Sequence, residues 1–374
     1  MNHPEAHIFD MNPESLTEWC KANNVGGGKA YVAKQILEWV YQRDVIDPEK
    51  MSNLSKLDRA TLSAKMTFLS GETIRHERAS DGVQKLLIRW GLPTSDDVPA
   101  ASLPVLGQPA QRKTYETECV MIPTEDRKTA CISSQVGCPV GCKFCASGIG
   151  GLDGNLSAGR IVEQVWRLGQ LEGVGRISNI VFMGMGEPLA NFANVTAAVR
   201  TLASLWATGI SARKITISTV GLPQAINKLA DTFDLPVTLA LSLHAPNDEI
   251  RRQLIPWAEY TTIEELLNAC RRWFDKTGRE ITLEYTLLHG VNDRPKHAQE
   301  LATIAKSLRA NINLIRYNEV DGMPFERPRD ANVLEFQRVL KETGLNVHIR
   351  ASRGRDIKAA CGQLRHETAK AERA

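Results

Sequence analysis

The sequence predicts an α/β protein in which helices precede a parallel sheet that carries further helices on its outside. Strand-like and helical patterns alternate from about residue 128 to residue 351, and repeated βα units of this kind pair their strands in parallel. Apolar residues make up 43% of the 374 residues, which suits one barrel-sized domain with appendages. In such folds, ligands bind at the carboxyl ends of the strands.

Residues 1–64 are predicted to form a helical N-terminal domain. Asn12 and Pro13 are typical of a helix start, here for a helix over Ser15–Ala22, and a second amphipathic helix is predicted over Ala30–Tyr41. The glycine-rich turn Gly26–Lys29 lies between them. Its amides and lysine are suited to contact a nucleic-acid phosphate, although a flexible connection between helices explains the same residues equally well.

Residues 65–123 are predicted to form a small β connector. Short extended runs such as Val83–Trp90 and Glu118–Ile122 are separated by turns that contain proline and glycine. The segment Ala100–Gln111 has the composition of a loop.

Residues 124–364 carry the repeated βα units, and residues 365–374 are a tail. Each predicted strand is a short apolar run, and each predicted helix has apolar residues at helical spacing. The predicted strands are Lys128–Ser134, Ile177–Met183, Lys214–Thr219, Val237–Leu243, Ile281–Leu288, Ile312–Tyr317 and Asn346–Ala351. The predicted helices are Ser157–Leu171, Asn194–Leu205, Gln224–Asp231, Ile263–Lys276, Pro295–Leu308 and Val333–Thr343.

Three cysteines, Cys138, Cys142 and Cys145, follow the first predicted barrel strand in a Cys-x3-Cys-x2-Cys pattern. A [4Fe-4S] cluster is normally held by four thiolates, so three leave one iron free to bind another ligand. A structural zinc site is the alternative, but it needs a fourth Cys or His within a short loop. No histidine lies between His76 and His244, and the spacing therefore favours an iron-sulfur cluster.

Polar groups and glycines end several of the predicted strands, where a barrel binds its ligands. Gly186 and Glu187 follow one strand, and Glu187 is suited to accept a hydrogen bond from a protonated amine. Hydroxyl, imidazole and amide groups at further strand ends are suited to a ribose and a carboxylate. These are Ser218, Ser242, His244 and Asn318. A tight βα turn and ordinary packing remain alternatives for these residues.

The cysteine motif, with Phe144 before its last cysteine, resembles the radical S-adenosylmethionine (SAM) superfamily. The resemblance implies a partial (β/α)6 barrel of the TIM type, in which the open iron binds SAM and the cleaved cofactor yields a 5'-deoxyadenosyl radical. It also implies that Gly186 and Glu187 hold the methionine amino group. Further contacts to SAM are implied for Ser218, Ser242, Leu243, His244 and Asn318.

Five segments together resemble the RlmN/Cfr family of radical SAM RNA methyltransferases more closely. They are Cys131–Cys138, Phe182–Leu189, Ser242–Asp248, Asn313–Asn318 and Asp356–Leu364. The resemblance covers essentially the whole chain. It implies methylation of adenosine C2 in the peptidyl transferase region of 23S rRNA, and of the adenosine at position 37 of transfer RNA, with two SAM molecules used per turnover.

The same resemblance implies roles for three residues outside the cluster motif. Cys361 is methylated by one SAM, and the adenosyl radical then activates that methyl group for addition to the base. Glu118 removes the C2 proton, and Cys131 attacks the sulfur of Cys361 to release the RNA with a transient disulfide. Counting thirteen residues back from Cys131 selects Glu118 over Glu116.

Other functions are considered beside C2 methylation. Cfr-type enzymes methylate C8 of the same kind of adenosine, and Gly186-Glu187-Pro188 resembles the C2-specific group more closely. A non-catalytic iron-sulfur protein that binds RNA has no use for the thiol pair Cys131 and Cys361. A radical SAM activase that acts on another protein leaves Cys361 and the helical N-terminal domain unexplained.

The charge and cysteine content set expectations for partners and location. A net charge of +3 permits RNA binding through local patches, for which Arg350, Arg353 and Arg355 are candidates. No stretch approaches the ~20 apolar residues of a membrane span, and charged residues near the start argue against a signal peptide. We expect a cytoplasmic monomer that receives electrons from a donor such as flavodoxin.

Overall fold

The computed structural model describes residues 1–91 and 115–357, in which a single large sheet organises the chain. Its ten strands lie in the order β1-β2-β3-β4-β7-β8-β9-β10-β11-β12, and β5 and β6 form a separate hairpin. The strands are β1 Gly71–Arg78, β2 Gln84–Trp90, β3 Glu116–Pro123, β4 Lys128–Cys131, β5 Gln135–Gly137, β6 Leu152–Asn155, β7 Asn179–Phe182, β8 Ile215–Thr219, β9 Thr238–Ser242, β10 Ile281–Leu287, β11 Ala310–Arg316 and β12 Val347–Ile349.

Strands β4 and β7 to β12 pair in parallel and form the predicted partial barrel. Helices follow the first six of these strands, and β12 lies at the edge of the sheet, so the barrel is open. The predicted (β/α)6 architecture is therefore confirmed. The helices of this part are α4 Ala158–Gly169, α5 Phe192–Ala203, α6 Pro223–Thr232, α7 Asp248–Leu254, α8 Ile263–Thr277, α9 Pro295–Lys306 and α10 Asp330–Glu342. Among them, α7 was not predicted, because seven residues give little periodic pattern.

The three connector strands extend the same sheet in the antiparallel sense. Strand β1 pairs with β2, β2 with β3, and β3 with the barrel strand β4. In the last of these pairs, Val120 lies opposite Cys131. The connector and the barrel consequently share one hydrogen-bonded sheet, and the division at residue 123 stays a prediction.

The N-terminal segment is helical, as predicted. It contains α1 Pro13–Ala22, α2 Ala30–Tyr41 and α3 Lys56–Lys65. Helix α1 begins at the predicted cap and first turn, because the side chain of Asn12 accepts the amide of Ser15 at 2.8 Å and caps the helix there. Within residues 1–91 and 115–357, none of the helices has the length and apolar character that a membrane span requires.

The structure argues against a phosphate site at the glycine-rich turn. Gly26–Gly28 form a short 3-10 helix in which all three glycines have positive φ. The amide of Gly26 already donates to the Asp58 carboxylate at 2.7 Å, and the amide of Gly28 donates to the carbonyl of Val25. A carboxylate at this position repels a phosphate, so the turn acts as a connection between helices.

One apolar core joins the N-terminal helices to the barrel. Aromatic rings bridge the two, because Tyr41 lies edge-on to Phe9 and also to Trp206, with 5.8 Å between ring centroids in each pair. The indole N–H of Trp166 on α4 donates to the carbonyl of Val40 on α2. These contacts fix the N-terminal helices against the outside of the barrel.

A buried carboxylate, Glu163 on α4, holds three parts of the chain together. It accepts hydrogen bonds from the amide of Ser70 at 2.9 Å and from Arg167 at 2.8 Å, and it lies 3.1 Å from the imidazole of His7. Burial opposes ionisation, but the contacts from His7, Arg167 and Ser70 hold the pKa of Glu163 below its ordinary value. For His7, burial is likewise outweighed, and its contacts with Asp10 and Glu163 raise its pKa.

We expect Glu163→Gln to lower the free energy of unfolding by about 3 kcal/mol, because it breaks a buried ion pair and leaves its partners unmatched. Urea denaturation at about pH 6 is the measurement. The contribution of Glu163 to stability is lost as pH falls below 4.5, its ordinary pKa, and through its lowered pKa in the folded protein. The contribution of His7 is lost as pH rises above 6.5, its ordinary pKa, and through its raised pKa in the folded protein.

The control is Glu38→Gln, which removes an exposed ion pair with Arg43 and is expected to cost below about 1 kcal/mol. Equal losses in the two variants would show that Glu163 does not hold the domains together.

Candidate active site

The cysteine motif lies in the connection from β4 to α4, at the carboxyl end of the first parallel strand. The β5-β6 hairpin closes this loop, and the amide of Cys138 donates to the carbonyl of Gly151 at 2.9 Å. Gly137 has φ +75°, and a Cβ atom there would lie 2.0 Å from the Gly151 oxygen, so this turn requires glycine. The segment 148–155, which has no firm assignment from sequence, thus contributes β6 to the loop.

The three cysteines line one cavity of about 230 Å³, which we call the cluster pocket. Their thiols are free of disulfide bonds. Within the described ranges, no three His, Cys, Asp or Glu side chains converge closely enough to hold a single metal ion. Thiols that line one pocket without meeting at a point suit the separate irons of a cluster better than they suit zinc.

Burial and the neighbouring thiols make Cys138 and Cys142 hard to ionise in the protein alone. Burial raises the pKa of Cys138 to about 12, and the neighbouring Cys145 adds to the rise. The pKa of Cys142 is raised for the same reasons. Bound iron ions supply the positive charge that stabilises thiolates, so this pocket fits the irons of a metal cluster.

Four of the predicted strand-end residues line the cluster pocket with the cysteines, and so does Gly186. The four are Glu187, Ser218, Ser242 and His244. Gly186 has φ +101°, and a Cβ there would come within 2.6 Å of Gln135. The hydroxyls of Ser218 and Ser242 are 3.2 Å apart at adjacent strand ends. The parallel register therefore brings together residues that are distant in sequence.

Glu187 ties two strand ends together in addition to lining the pocket. Its Oε1 accepts the amide of Leu189 at 2.9 Å, and its Oε2 accepts the amide of Val220 at 2.8 Å. Burial raises the pKa of Glu187 to about 7, despite these hydrogen bonds. The Thr219 side chain also contacts this carboxylate, and since a carboxylate can accept about four hydrogen bonds, acceptance from a ligand amine stays available.

His244 presents a neutral imidazole to the pocket. Its Nδ1 accepts the amide of Thr286 at 3.1 Å, which assigns the proton to Nε2. Burial lowers its pKa to about 3, and the positive charge of Arg251 contributes. The ring packs edge-on against Phe144, with centroids 5.1 Å apart, and this contact links β9 to the cysteine loop.

Two predicted cofactor contacts lie elsewhere. The side chain of Leu243 is buried in the main core, and its amide donates to the carbonyl of Glu284. Asn318 lines a neighbouring cavity, where its side-chain oxygen accepts from Arg327 at 3.3 Å. Among the described residues, neither of the two lines the cluster pocket.

The neighbouring cavity, which we call the outer chamber, has a volume of about 570 Å³ and contains both Glu118 and Cys131. Residues two apart on a strand share a face, and Val120 lies opposite both Lys85 on β2 and Cys131 on β4. The register therefore sets Lys85, Glu118 and Cys131 on one face. Glu118 forms an ion pair with Lys85 at 2.5 Å, and both side chains are buried.

The cluster pocket and the outer chamber adjoin, because they share lining residues at the mouth of the barrel. The shared residues are Met183, Gly184, Thr286, Ile315 and Arg350. A substrate group in the outer chamber can therefore approach a cofactor in the cluster pocket. Cys361, the third predicted catalytic residue, lies outside the described residues.

Sequence reasoning missed the buried Lys85, and it named Arg350 only as a candidate RNA contact, not as a charge between the two cavities. Lys85 is fully buried beside Glu118, and Arg350 donates to the thioether sulfur of Met183 at 3.3 Å between the cavities. Burial raises the pKa of the Cys131 thiol, while the charges of Arg350 and Lys85 act in the opposite direction. The one indication in the sequence that Lys85 is buried was its position within a largely apolar strand.

Known proteins and protein families are similar to this chain over most of its length. Residues 132–302 match the Radical SAM superfamily, and residues 6–67 match the family described as ribosomal RNA large subunit methyltransferase N-terminal domain. The chain is 37% identical to a radical SAM methyltransferase from Sphaerobacter thermophilus. The two structures superpose with a TM-score of 0.86, and the match covers 96% of this chain and 98% of the Sphaerobacter thermophilus chain.

The fold and the site therefore define a radical SAM methyltransferase, a class that uses a [4Fe-4S] cluster and SAM. A probable dual-specificity RNA methyltransferase RlmN from Rhodopirellula baltica is 40% identical, over 96% of this chain and 90% of the relative. Its counterpart in Thermosynechococcus vestitus is 42% identical, over 96% and 98%. The chain belongs to the RlmN family.

If the cysteine motif holds the cluster, Cys142→Ala should abolish cluster binding, because two thiols leave two irons without a protein ligand. We expect iron near four atoms per wild-type chain after anaerobic reconstitution, and about tenfold less in the variant. Cys270→Ala, which changes a buried cysteine on α8, should retain the wild-type iron content. Full iron loading of Cys142→Ala would remove this residue from the cluster site.

Proposed function

We propose that this chain methylates C2 of an adenosine in the peptidyl transferase region of 23S rRNA, and of the adenosine at position 37 of transfer RNA. The observation that carries the proposal is the pair of adjoining cavities. One is lined by the cysteine motif and the other by a buried carboxylate and a buried thiol. A simple SAM-dependent transferase needs neither of these arrangements.

In this proposal, Cys138, Cys142 and Cys145 hold the cluster, and Gly186, Glu187, Ser218, Ser242 and His244 line the space for SAM. When bound, the cluster and SAM supply the radical chemistry that an unreactive aromatic carbon requires. The neutral His244 donates its Nε2–H toward the ligand. Leu243 is proposed to contact SAM through its backbone. Asn318 is proposed to contact SAM from the outer chamber, which it lines.

Glu118 is the proposed base that accepts the C2 proton. Its side chain is held in a buried ion pair with Lys85, and a carboxylate is a group that can accept a proton in general base catalysis. Glu116, two residues earlier on the same strand, forms an ion pair with Arg89 at 2.8 Å instead. Of these two carboxylates, Glu118 is the one that lines the outer chamber.

Cys131 is proposed to release the product by attacking the sulfur of Cys361. In this step a sulfur–sulfur bond forms as the bond from Cys361 to the methylated product breaks, and a reductant must restore the thiols. Ile357 packs against the small apolar cluster that contains Cys131. Four residues separate Ile357 from position 361 and span at most ~14 Å when extended, so the length of the chain is compatible with the proposed step.

The outer chamber is suited to RNA. Four arginines line it, namely Arg127, Arg316, Arg350 and Arg353, and guanidinium groups pair well with phosphates. An adenosine can enter such a chamber only when it is unpaired or flipped out of its helix. We also propose that residues 1–64 contribute to RNA binding, that residues 65–123 carry the base and that residues 124–364 form the catalytic barrel.

The proposal extends to the cellular setting. The cluster needs one-electron reduction, so an electron donor such as flavodoxin is a required partner. We propose that the enzyme acts as a monomer in the cytoplasm, where its RNA substrates are found.

Methyl-labelled SAM tests the substrate and the methyl route together. The reconstituted enzyme is incubated anaerobically with reductant and either 23S rRNA or transfer RNA, and the labelled nucleoside is identified by mass spectrometry. We expect 2-methyladenosine from wild type and at least about a hundredfold less from Cys361→Ala, because the relay thiol is missing.

The matched control is Cys119→Ala, which removes a buried thiol from the opposite face of β3 and should retain activity. Label recovered as 8-methyladenosine would replace the C2 assignment with C8 methylation. Equal rates in wild type and Cys361→Ala would exclude the methyl relay, and an absence of both label and 5'-deoxyadenosine would favour a non-catalytic role.

Glu118→Gln should lower RNA methylation by roughly 10²–10⁴-fold, because a glutamine cannot accept the C2 proton. Cleavage of SAM should continue, since the cluster pocket is unchanged. Rates of methylation and of 5'-deoxyadenosine formation are measured in parallel.

Glu116→Gln is the control, because it alters a buried carboxylate two residues away that is paired with Arg89. If the two variants lose methylation to the same extent, the base has been assigned wrongly.

A further inference from the structure

A buried arginine, Arg251 on α7, lies beside the cysteine loop, and none of the described residues forms an ion pair with it. Its side chain is 1% exposed, and its Nη2 donates to the carbonyl of Val220 at 2.6 Å. Within residues 1–91 and 115–357, its Nε is buried with no hydrogen-bond acceptor, and the one acceptor that its guanidinium meets is the neutral carbonyl of Val220. Burying a cation without a nearby anion costs free energy, so this arginine indicates that an anion binds close to it.

The surroundings of Arg251 indicate where that anion lies. Helix α7 packs directly on the cysteine loop, because the amide of Lys143 donates to the carbonyl of Leu254 at 2.9 Å. Leu254 also shares an apolar cluster with Cys138 and Cys142. The acidic groups whose charges act on Arg251 are the Cys142 thiol and the Asp248 carboxylate. The unmatched charge therefore faces the cluster site.

We propose that Arg251 is the counter-charge of the iron-sulfur cluster and sets its reduction potential. A cube held by three thiolates carries a net negative charge, which increases by one on reduction. A fixed positive charge nearby stabilises the reduced form more than the oxidised form. The free Nε–H offers a donor to sulfur, and hydrogen bonds to sulfur act in the same direction.

A hydrogen-bonded chain also connects Arg251 to the SAM side of the pocket. Arg251 binds the carbonyl of Val220, and the amide of the same residue donates to Glu187. The positive charge is thus held in place by the groups that line the pocket. This inference rests on the cluster site alone, so it stands or fails independently of the RNA substrate and of the carbon that is methylated.

The test is the midpoint potential of the reconstituted cluster, measured by redox titration with electron paramagnetic resonance. Arg251→Gln should shift the equilibrium away from the reduced cluster by at least tenfold, equivalent to ~59 mV for one electron. Arg251→Lys keeps the charge and should show less than half of that shift. Arg252→Gln removes an exposed arginine from the same helix and should leave the potential unchanged.

Each titration is run with and without SAM. A shift that appears only with SAM would mean that Arg251 acts on the bound methionine carboxylate, and it would overturn the proposal. A potential in Arg251→Gln equal to that of Arg252→Gln would overturn it as well.

A second measurement covers the case in which Arg251→Gln fails to retain its cluster. Thermal unfolding is compared with and without the cluster for wild type and variant. Loss of an unmatched buried charge should leave the cluster-free variant at least as stable as cluster-free wild type. Marked destabilisation of the cluster-free variant would show that Arg251 is a structural residue, contrary to the proposal.

Discussion

The pairing of strand β3 with strand β4 is the constraint on which the rest of the site depends. It joins the antiparallel extension to the parallel barrel, and its register places Val120 opposite Cys131. Because side chains alternate along a strand, that single register carries Glu118 to the face where Cys131 lies. A shift by one residue would turn Glu118 into the core and leave the outer chamber without its carboxylate.

Buried charges surround the two cavities, and most of them are paired within the protein. Lys85 neutralises Glu118, and the carboxylate of Glu187 is held by two backbone amides. Arg251 differs, because within residues 1–91 and 115–357 its hydrogen bond goes to a neutral carbonyl and its Nε has no acceptor, and its helix packs on the cysteine loop. The positive charge of Arg251 beside the cluster pocket thus complements the negative charge that an iron-sulfur cluster would bring.

Local patterns predicted a large part of the fold. Helix α2 begins and ends at the predicted residues, Ala30 and Tyr41, because its apolar face has clear helical periodicity. The barrel strands were found within a few residues for a similar reason, since each is a short apolar run. Helix α7 was missed, and the glycine-rich turn at Gly26 was not recognised as bound to Asp58, because that contact joins residues 32 apart.

The sequence by itself determined the chemistry of the site. Three cysteines at fixed spacing form one loop, so their convergence follows from local geometry, and the strand-end residues follow from the βα repeat. Only the tertiary structure decided which buried charges face each cavity. Lys85, Arg251 and Arg350 belong to different parts of the chain. Strand register and helix packing bring them close to the cavities, and their charges then act on groups that are distant in sequence.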